Sequence, residues 1–329
     1  MNVWLVDFDG KIENLALMRI AAYHKAQGDK VSLKHGAFSQ MSLFEPLPDK
    51  VYVSCLFSWN RKDALRYFEQ IPCDKEIGGT GIDPTISLPD YIEAYPPDYQ
   101  LYGRNRAIGF ISRGCFRKCP WCVVPSKEGK LHRISSAQEI CGNFKEAIFL
   151  DNNFLKLPDA ASDLNWLAEN KIATDFNQGL DARLVTPELA KLLARLKWSS
   201  KQNGPRFSLD AKQSMKAVGL ALERLRDAGI SPSRVFVYCL IGFDGFESDV
   251  SRLLFLRENG VRVFPMRYRN LETGESPATG WNKRLYHKYN RLIGRMPFAN
   301  SVWDDFRREI IGSAESPPQA SESPEQVFV

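Results

Sequence analysis

No stretch of this 329-residue chain approaches the roughly 20 consecutive apolar residues that a membrane-spanning helix needs. The amino-terminal end offers no basic start with a long apolar run behind it. Met1-Asn2-Val3-Trp4-Leu5-Val6-Asp7 reads as a strand, not as a secretory signal. Seven cysteines, an odd number and unevenly spread, build no disulfide framework, so a reducing cytoplasm is the expected setting. A net charge of +5 is too small to mark the whole surface for an anionic partner, and any such case rests on local clusters. No internal repeat is present. Within those limits the composition is ordinary for a soluble globular protein, 44% hydrophobic and 25% charged, with length enough for a full core and two domains.

Three of the cysteines, Cys115, Cys119 and Cys122, fall within eight positions. They are spaced CxxxCxxC, after an apolar run at 107–111 and before a basic stretch at 127–133. Thiolates this close on a loop after a strand can converge on one metal centre. A cubane iron–sulfur cluster normally takes four cysteines, so a three-cysteine site leaves one iron open. The same residues admit other readings. They could hold structural zinc with His132, form a redox dithiol at Cys119-Pro120-Trp121-Cys122, or pack as small buried hydrophobes.

With Trp121 just before the third cysteine, the motif resembles the CxxxCxΦC signature of the radical S-adenosylmethionine (SAM) superfamily. The resemblance implies a 4Fe–4S cluster on Cys115, Cys119 and Cys122, its open iron chelated by the amino and carboxylate groups of SAM. One electron then cleaves the sulfonium, giving methionine and a 5′-deoxyadenosyl radical that abstracts hydrogen from a substrate. An acidic electron donor such as a flavodoxin or ferredoxin is the matching partner, and the basic residues between Arg113 and Arg133 would suit its docking.

The order of elements agrees with this. Strands are predicted at 107–112, 147–150, 172–176, 207–209, 235–241 and 261–266. Between them, Ser135 or Ser136 with Gln138 or Glu139 gives a capping box for a helix to about 145. Further helices are predicted at 164–170, at 186–198 behind Thr186 and Pro187, at 215–228 and at 247–259. Six such units match the partial (β/α)6 barrel of the superfamily, with its site at the carboxyl ends of the strands.

Residues 1–82 also alternate, with strands at 3–6, 30–33 and 51–54, a strand end at 76–79, and helices at 14–27 and 61–71. They predict a small Rossmann-like parallel α/β domain with helices on both faces. Ser54-Cys55-Leu56 and Gly78-Gly79 resemble the SxL and GG motifs of a cobalamin-binding domain. Asp7-Phe8-Asp9-Gly10-Lys11 lacks the histidine ligand, so the domain reads as degenerate and cobalamin is not expected. A second cluster of the methylthiotransferase kind would want three cysteines where only Cys55 and Cys73 stand. Residues 83–106, with four prolines and Tyr91, Tyr95, Tyr99 and Tyr102, read as an extended connector to the core at 107–270.

At the strand ends the resemblance assigns Asp151, Asn152 and Asn153 to the amino group of SAM, and Gln178 and Arg183 to the cofactor, Arg183 toward the methionine carboxylate. It assigns Asp210 to the ribose, Ile241 and Gly242 to the adenine, and Phe116 and Trp121 to the cofactor's surroundings. Plain alternatives are an Asx turn, helix capping and barrel core. Basic residues between Arg113 and Arg133, and between Arg262 and Arg295 among aromatics, suggest a nucleic-acid base or nucleotide as substrate. Arg267, Arg269, Arg284 and Arg291 are the candidate contacts, and methyl or methylthio transfer is an admissible outcome. A peptide or small metabolite is the alternative substrate, and a zinc-stabilised nucleic-acid-binding protein the alternative class. Residues 271–311 predict a basic aromatic helical extension, and 312–329 a disordered tail.

Overall fold

Short runs of Val, Leu and Trp bounded by turn residues build the first sheet. Its elements are β1 (Asn2–Asp7), α1 (Leu15–Ala26), β2 (Lys30–His35), β3 (Lys50–Ser54), α2 (Arg61–Glu69) and β4 (Asp74–Gly78). The strands run parallel in the order β2-β1-β3-β4. Val3 and Leu5 face Leu17, Ile20 and Ala21 of α1, whereas Trp4 and Val6 face Tyr67 and Phe68 of α2. The alternation of the strand thus places one helix on each face. Asn14 starts α1, its side chain accepting from the N–H groups of Ala16 and Leu17. At the carboxyl edge, Asp9 accepts from the N–H groups of Leu56 (2.7 Å) and Phe57 (3.0 Å) and from Asn60 (2.9 Å). The crevice where parallel sheets commonly bind ligands is therefore spanned by the protein's own carboxylate.

This computed structural model describes residues 1–36, 47–199 and 203–270. The described residues all fall in one compact unit, Met1–Thr279. The expected extension at 271–311, the tail at 312–329, and Arg284 and Arg291 lie outside the described residues.

The connector is not the continuous extended chain expected. It holds a short helix, α3 (Asp90–Glu93), and a 3₁₀ turn over Tyr99–Tyr102 begun by the side chain of Asp98. Its tyrosines do pack: Tyr91 and Tyr95 stand edge-on to Tyr23, and the Tyr102 hydroxyl donates to Asp7 (2.7 Å).

From there the chain runs β5 (Ala107–Gly109), β6 (Ser112–Arg113), α4 (Val124–Glu128), β7 (His132–Arg133), α5 (Ala137–Cys141), β8 (Glu146–Phe149), α6 (Ala160–Glu169) and β9 (Ala173–Phe176). It continues α7 (Pro187–Arg195), β10 (Lys197–Trp198), β11 (Arg206–Ser208), α8 (Met215–Asp227), β12 (Phe236–Ile241), α9 (Phe246–Glu258) and β13 (Arg262–Arg267). Two parallel sheets, β10-β9-β8-β5 and β11-β12-β13, are joined by a parallel bridge between Leu180 and Phe207. Trp121, after β5, stands edge-on to Phe243, after β12, at 5.2 Å. The row of strands therefore curves until distant strand ends meet at one mouth.

Three predicted elements break early, each for a physical reason. The strand expected at 107–112 leaves the sheet after Gly109, because Asp151 takes the N–H groups of Ile111 and Ser112 and turns the chain into an antiparallel β6–β7 hairpin. The capping box at Ser136 and Glu139 is present, but α5 ends at Cys141, with Gly142 at φ +48°. The helix expected to reach 198 ends at Arg195. Leu196 turns extended, Lys197 and Trp198 pair with β9, and Trp198 is buried against Phe176.

Helix α1 serves both layers. Gly109 faces Ile140 of α5, while on the opposite sheet face Ile108 and Ile148 pack on Leu15 and Met18 of α1. Arg106 locks the same junction with two hydrogen bonds to Glu13 (2.9 and 2.7 Å).

Candidate functional site

The hairpin β6–β7 carries the cysteine loop, and Gly114 lets it double back. Gly114 sits at φ +80°, and a Cβ there would run into the Lys130 carbonyl. Glu128 accepts the Gly114 N–H (3.0 Å) and the Asn152 amide (2.9 Å), joining the loop to the end of β8. Arg117 reaches Asp181 beyond β9 (2.6 Å). Asp181 also accepts a forked pair from Arg183 (2.6 and 2.9 Å) and the Asn153 amide (3.4 Å). Burial alone would raise the Asp181 carboxyl, but the two guanidiniums outweigh it and hold the group below its ordinary range.

Cys115 and Cys119 are half-buried on this loop and Cys122 is exposed. The Cys115 sulfur accepts from the Arg117 N–H (3.4 Å) and the Asn153 amide (3.3 Å). Desolvation pushes the Cys119 and Cys122 thiols up, neighbouring sulfurs and Asp210 add to the shift, and Arg183 opposes it at Cys119. Cys55, Cys141 and Cys239 differ in kind. They are fully buried, and burial pushes their thiols up to about 12, as suits inert packing residues.

Among the described residues no three His, Cys, Asp or Glu side chains stand together as ligands of a single ion. His132 lies on the exposed hairpin, its ring bonded to the Lys130 carbonyl (2.9 Å). A zinc ion at Cys115, Cys119, Cys122 and His132 would have to draw all four to within about 2.3 Å of one centre. A cubane takes each thiolate on a separate iron, so its sulfurs stand farther apart. The two N–H donors on the Cys115 sulfur are of the kind that surround cluster thiolates.

The remaining candidates divide. Asp151 is buried beneath the loop and accepts from the Ile111 N–H (3.1 Å), the Ser112 N–H (2.5 Å) and the Ser112 hydroxyl (2.6 Å). Desolvation outweighs these donors and pushes its pKa up to about 6. Asp210 accepts the Leu240 N–H (3.0 Å), and burial holds its carboxyl above the ordinary range. Ile241 is buried, and the Gly242 N–H donates to Asp249 (2.6 Å). Phe116 faces outward, 43% exposed, with the Arg117 guanidinium 4.6 Å and the Lys156 amine 5.6 Å from its ring. Gln178 and Arg267 are exposed, and Arg269 lies over the Trp59 ring at 4.7 Å. The mouth thus gathers the three cysteines, Asn153, Arg183 and Asp210, and leaves Phe116, Gln178 and Arg267 on the surface.

The basic stretch is largely engaged inside the fold. Arg113 pairs with Glu93 (3.1 Å), Arg117 with Asp181, and Arg133 with Asp159 (2.5 Å) and Asp163 (2.9 Å), while Lys127 meets Thr80. Glu128, which ties the loop to β8, escaped the sequence reading. Its signal was present, as the single acid between Arg113 and Arg133.

No protein-family model and no curated protein matches the chain. Among solved structures it is similar to Streptococcus suis SuiB bound to the precursor peptide SuiA, at 13% identity over 63% of this chain and 46% of that one, with a TM-score of 0.40. SuiB bound to S-adenosylmethionine gives 15% over 61% and 47%, with a TM-score of 0.40. A further SuiB structure gives 16% over 61% and 46%, with a TM-score of 0.39. The chain spans less than half the length of these proteins, and a likeness this slight transfers neither residue roles nor chemistry.

Proposed function

We propose that this chain is a radical SAM enzyme in which Cys115, Cys119 and Cys122 hold a 4Fe–4S cluster. The observation that supports it is a CxxxCxΦC loop after the first strand of a parallel α/β arc, with two N–H donors on one of its sulfurs. When bound, such a cluster supplies the electron that splits SAM into methionine and a 5′-deoxyadenosyl radical, which takes a hydrogen atom from the substrate. The chain's own residues bind, orient and exclude water. Asn153 and the Arg117 N–H both donate to the Cys115 sulfur and so orient it. Desolvation disfavours a free thiolate at half-buried Cys119, so metal loading there releases a proton. Arg183, its Nε and Nη2 held by Asp181, offers its remaining Nη1 to the methionine carboxylate. Asn152, held by Glu128, and Asn153, whose buried Oδ1 has no hydrogen-bond partner among the described residues, offer acceptors to the ammonium. Asp210 serves the ribose, Ile241 and Gly242 the adenine, and Trp121 against Phe243 shields the mouth from water.

For the substrate we infer a peptide or small metabolite in place of nucleic acid. Phosphate binding needs cations free to neutralise it; in the first basic stretch Arg113, Arg117 and Arg133 are already paired with carboxylates, and of the second Arg269 lies over the Trp59 ring while Arg284 and Arg291 lie outside the described residues. A flavodoxin or ferredoxin would deliver the electron.

Anaerobic reconstitution with iron and sulfide should give brown protein with about four irons per chain. SAM should then alter the cluster's paramagnetic resonance, and Cys119→Ala should lose both iron and 5′-deoxyadenosine formation. Colourless protein holding one zinc, or a Cys119→Ala variant that keeps both properties, would sink the assignment.

A further inference from the structure

Two charged side chains without a part in the chemistry above are wholly buried. Asp249 and Arg252 are each 0% exposed, and they pair with one another within α9. The second Asp249 oxygen accepts the Gly242 N–H (2.6 Å). The guanidinium donates to the Leu209 carbonyl (3.3 Å) and to the Ser248 carbonyl (3.4 Å). One ion pair therefore grips the residue before Asp210 and the residue after Ile241, the backbone just beyond β11 and the backbone just beyond β12. A buried ion pair is weak evidence for stability, because an apolar pair of similar volume often matches it. What it supplies is a fixed partner for two backbone groups that apolar side chains would leave unsatisfied.

We propose that Asp249 and Arg252 are positioning residues that set the spacing of the strand ends carrying Asp210 and Ile241-Gly242, and with it the affinity for the adenosine half of SAM. This rests on the reading of the chain as a SAM-binding enzyme. In the sequence the two residues look like an ordinary i,i+3 surface pair on a helix; only their burial reveals the link. Their hydrogen bonds run to backbone at both strand ends, so the effect reaches the cofactor through geometry, without contact.

The test compares full-length wild type, D249L/R252M and Asp249→Asn after anaerobic reconstitution. It reads iron per chain, the dissociation constant for SAM by equilibrium dialysis, and hydrogen exchange at the Gly242 amide. The double variant should keep its iron, exchange the Gly242 amide faster and bind SAM about tenfold more weakly, the worth of one or two hydrogen bonds. Asp249→Asn retains an acceptor for the Gly242 N–H but not the charge that holds Arg252, and should fall between the two; it also serves if the double variant does not fold. Unchanged SAM affinity in both variants, whether or not the Gly242 amide loosens, overturns the proposal. Wild-type protein that takes up iron yet binds no SAM would instead bring down the proposed function, and the positioning role with it, a failure visible before any variant is made.

Discussion

Replacing Asp151 by asparagine should change how stability responds to pH. The carboxylate accepts three hydrogen bonds from Ile111 and Ser112, yet desolvation dominates and its pKa stands at about 6 against an ordinary 3.8. The folded chain thus holds this proton more tightly than the unfolded chain does. Below the ordinary value both states are protonated and the group contributes no pH dependence. Between 3.8 and about 6 the folded state binds more protons, so stability falls as pH rises. Above that range the ionised group costs about 3 kcal/mol in full. The asparagine variant has no proton to lose. It keeps one acceptor oxygen but sets an amide against a backbone N–H, a pH-independent loss of about 1–2 kcal/mol. Urea unfolding followed by tryptophan fluorescence should therefore show the variant gaining on wild type by about 3 kcal/mol between about pH 4 and pH 7. A difference that stays flat across that range refutes the reasoning.

Two other substitutions probe the same architecture. Gly114→Ala forces a side chain to φ +80° and into the Lys130 carbonyl, so it should destabilise the protein by about 2 kcal/mol or more. Thermal unfolding measures that cost, and iron uptake on reconstitution should fall alongside it. Arg106→Ala strands the buried Glu13 carboxylate and should cost about 3 kcal/mol in urea unfolding. Burial alone would raise Glu13, but Arg106 outweighs it and holds the carboxyl below its ordinary range, so its contribution is present above that range and lost as pH falls through the lowered value. The variant should lack that acid limb.

What the sequence made legible was what its signals encode locally. The capping box at Ser136 and Glu139, the Thr186-Pro187 start of α7 and the continuous apolar run of β1 each depend on residues a few positions apart. The misses have distant causes. Strand β5 stops at Gly109 because a carboxylate some forty residues onward captures the next amides. No glycine marks the end of α7; Trp198 leaves the helix to pack on Phe176. The charge of the stretch around the cysteines was plain, but Glu93, Asp159, Asp163 and Asp181, which engage it, lie far off in sequence. The cysteine spacing could be read as a metal motif, whereas the Asn153 donor to Cys115 depends on how β8 ends beside the loop.

The two sheets cannot be separated without exposing a shared core. Helix α1 sends Leu17, Ile20 and Ala21 to the first sheet and Leu15 and Met18 to Ile108 and Ile148 of the second, so it is apolar on more than one side. A helix buried this way belongs to an interior, not to the surface of an appended module. Removing residues 1–82 would uncover Ile108 and Ile148, forfeit about 2 kcal/mol for each large apolar side chain left in water, and leave Arg106 without Glu13. The stability of a whole domain is only about 5–15 kcal/mol. The truncated chain, from residue 83 onward, should therefore collect in the insoluble fraction or bind a hydrophobic dye strongly, and it should fail to load iron under conditions where the full chain does. A truncated protein that stays monomeric, unfolds cooperatively and takes up iron would show that the strand arc is self-sufficient and that α1 only rests against it.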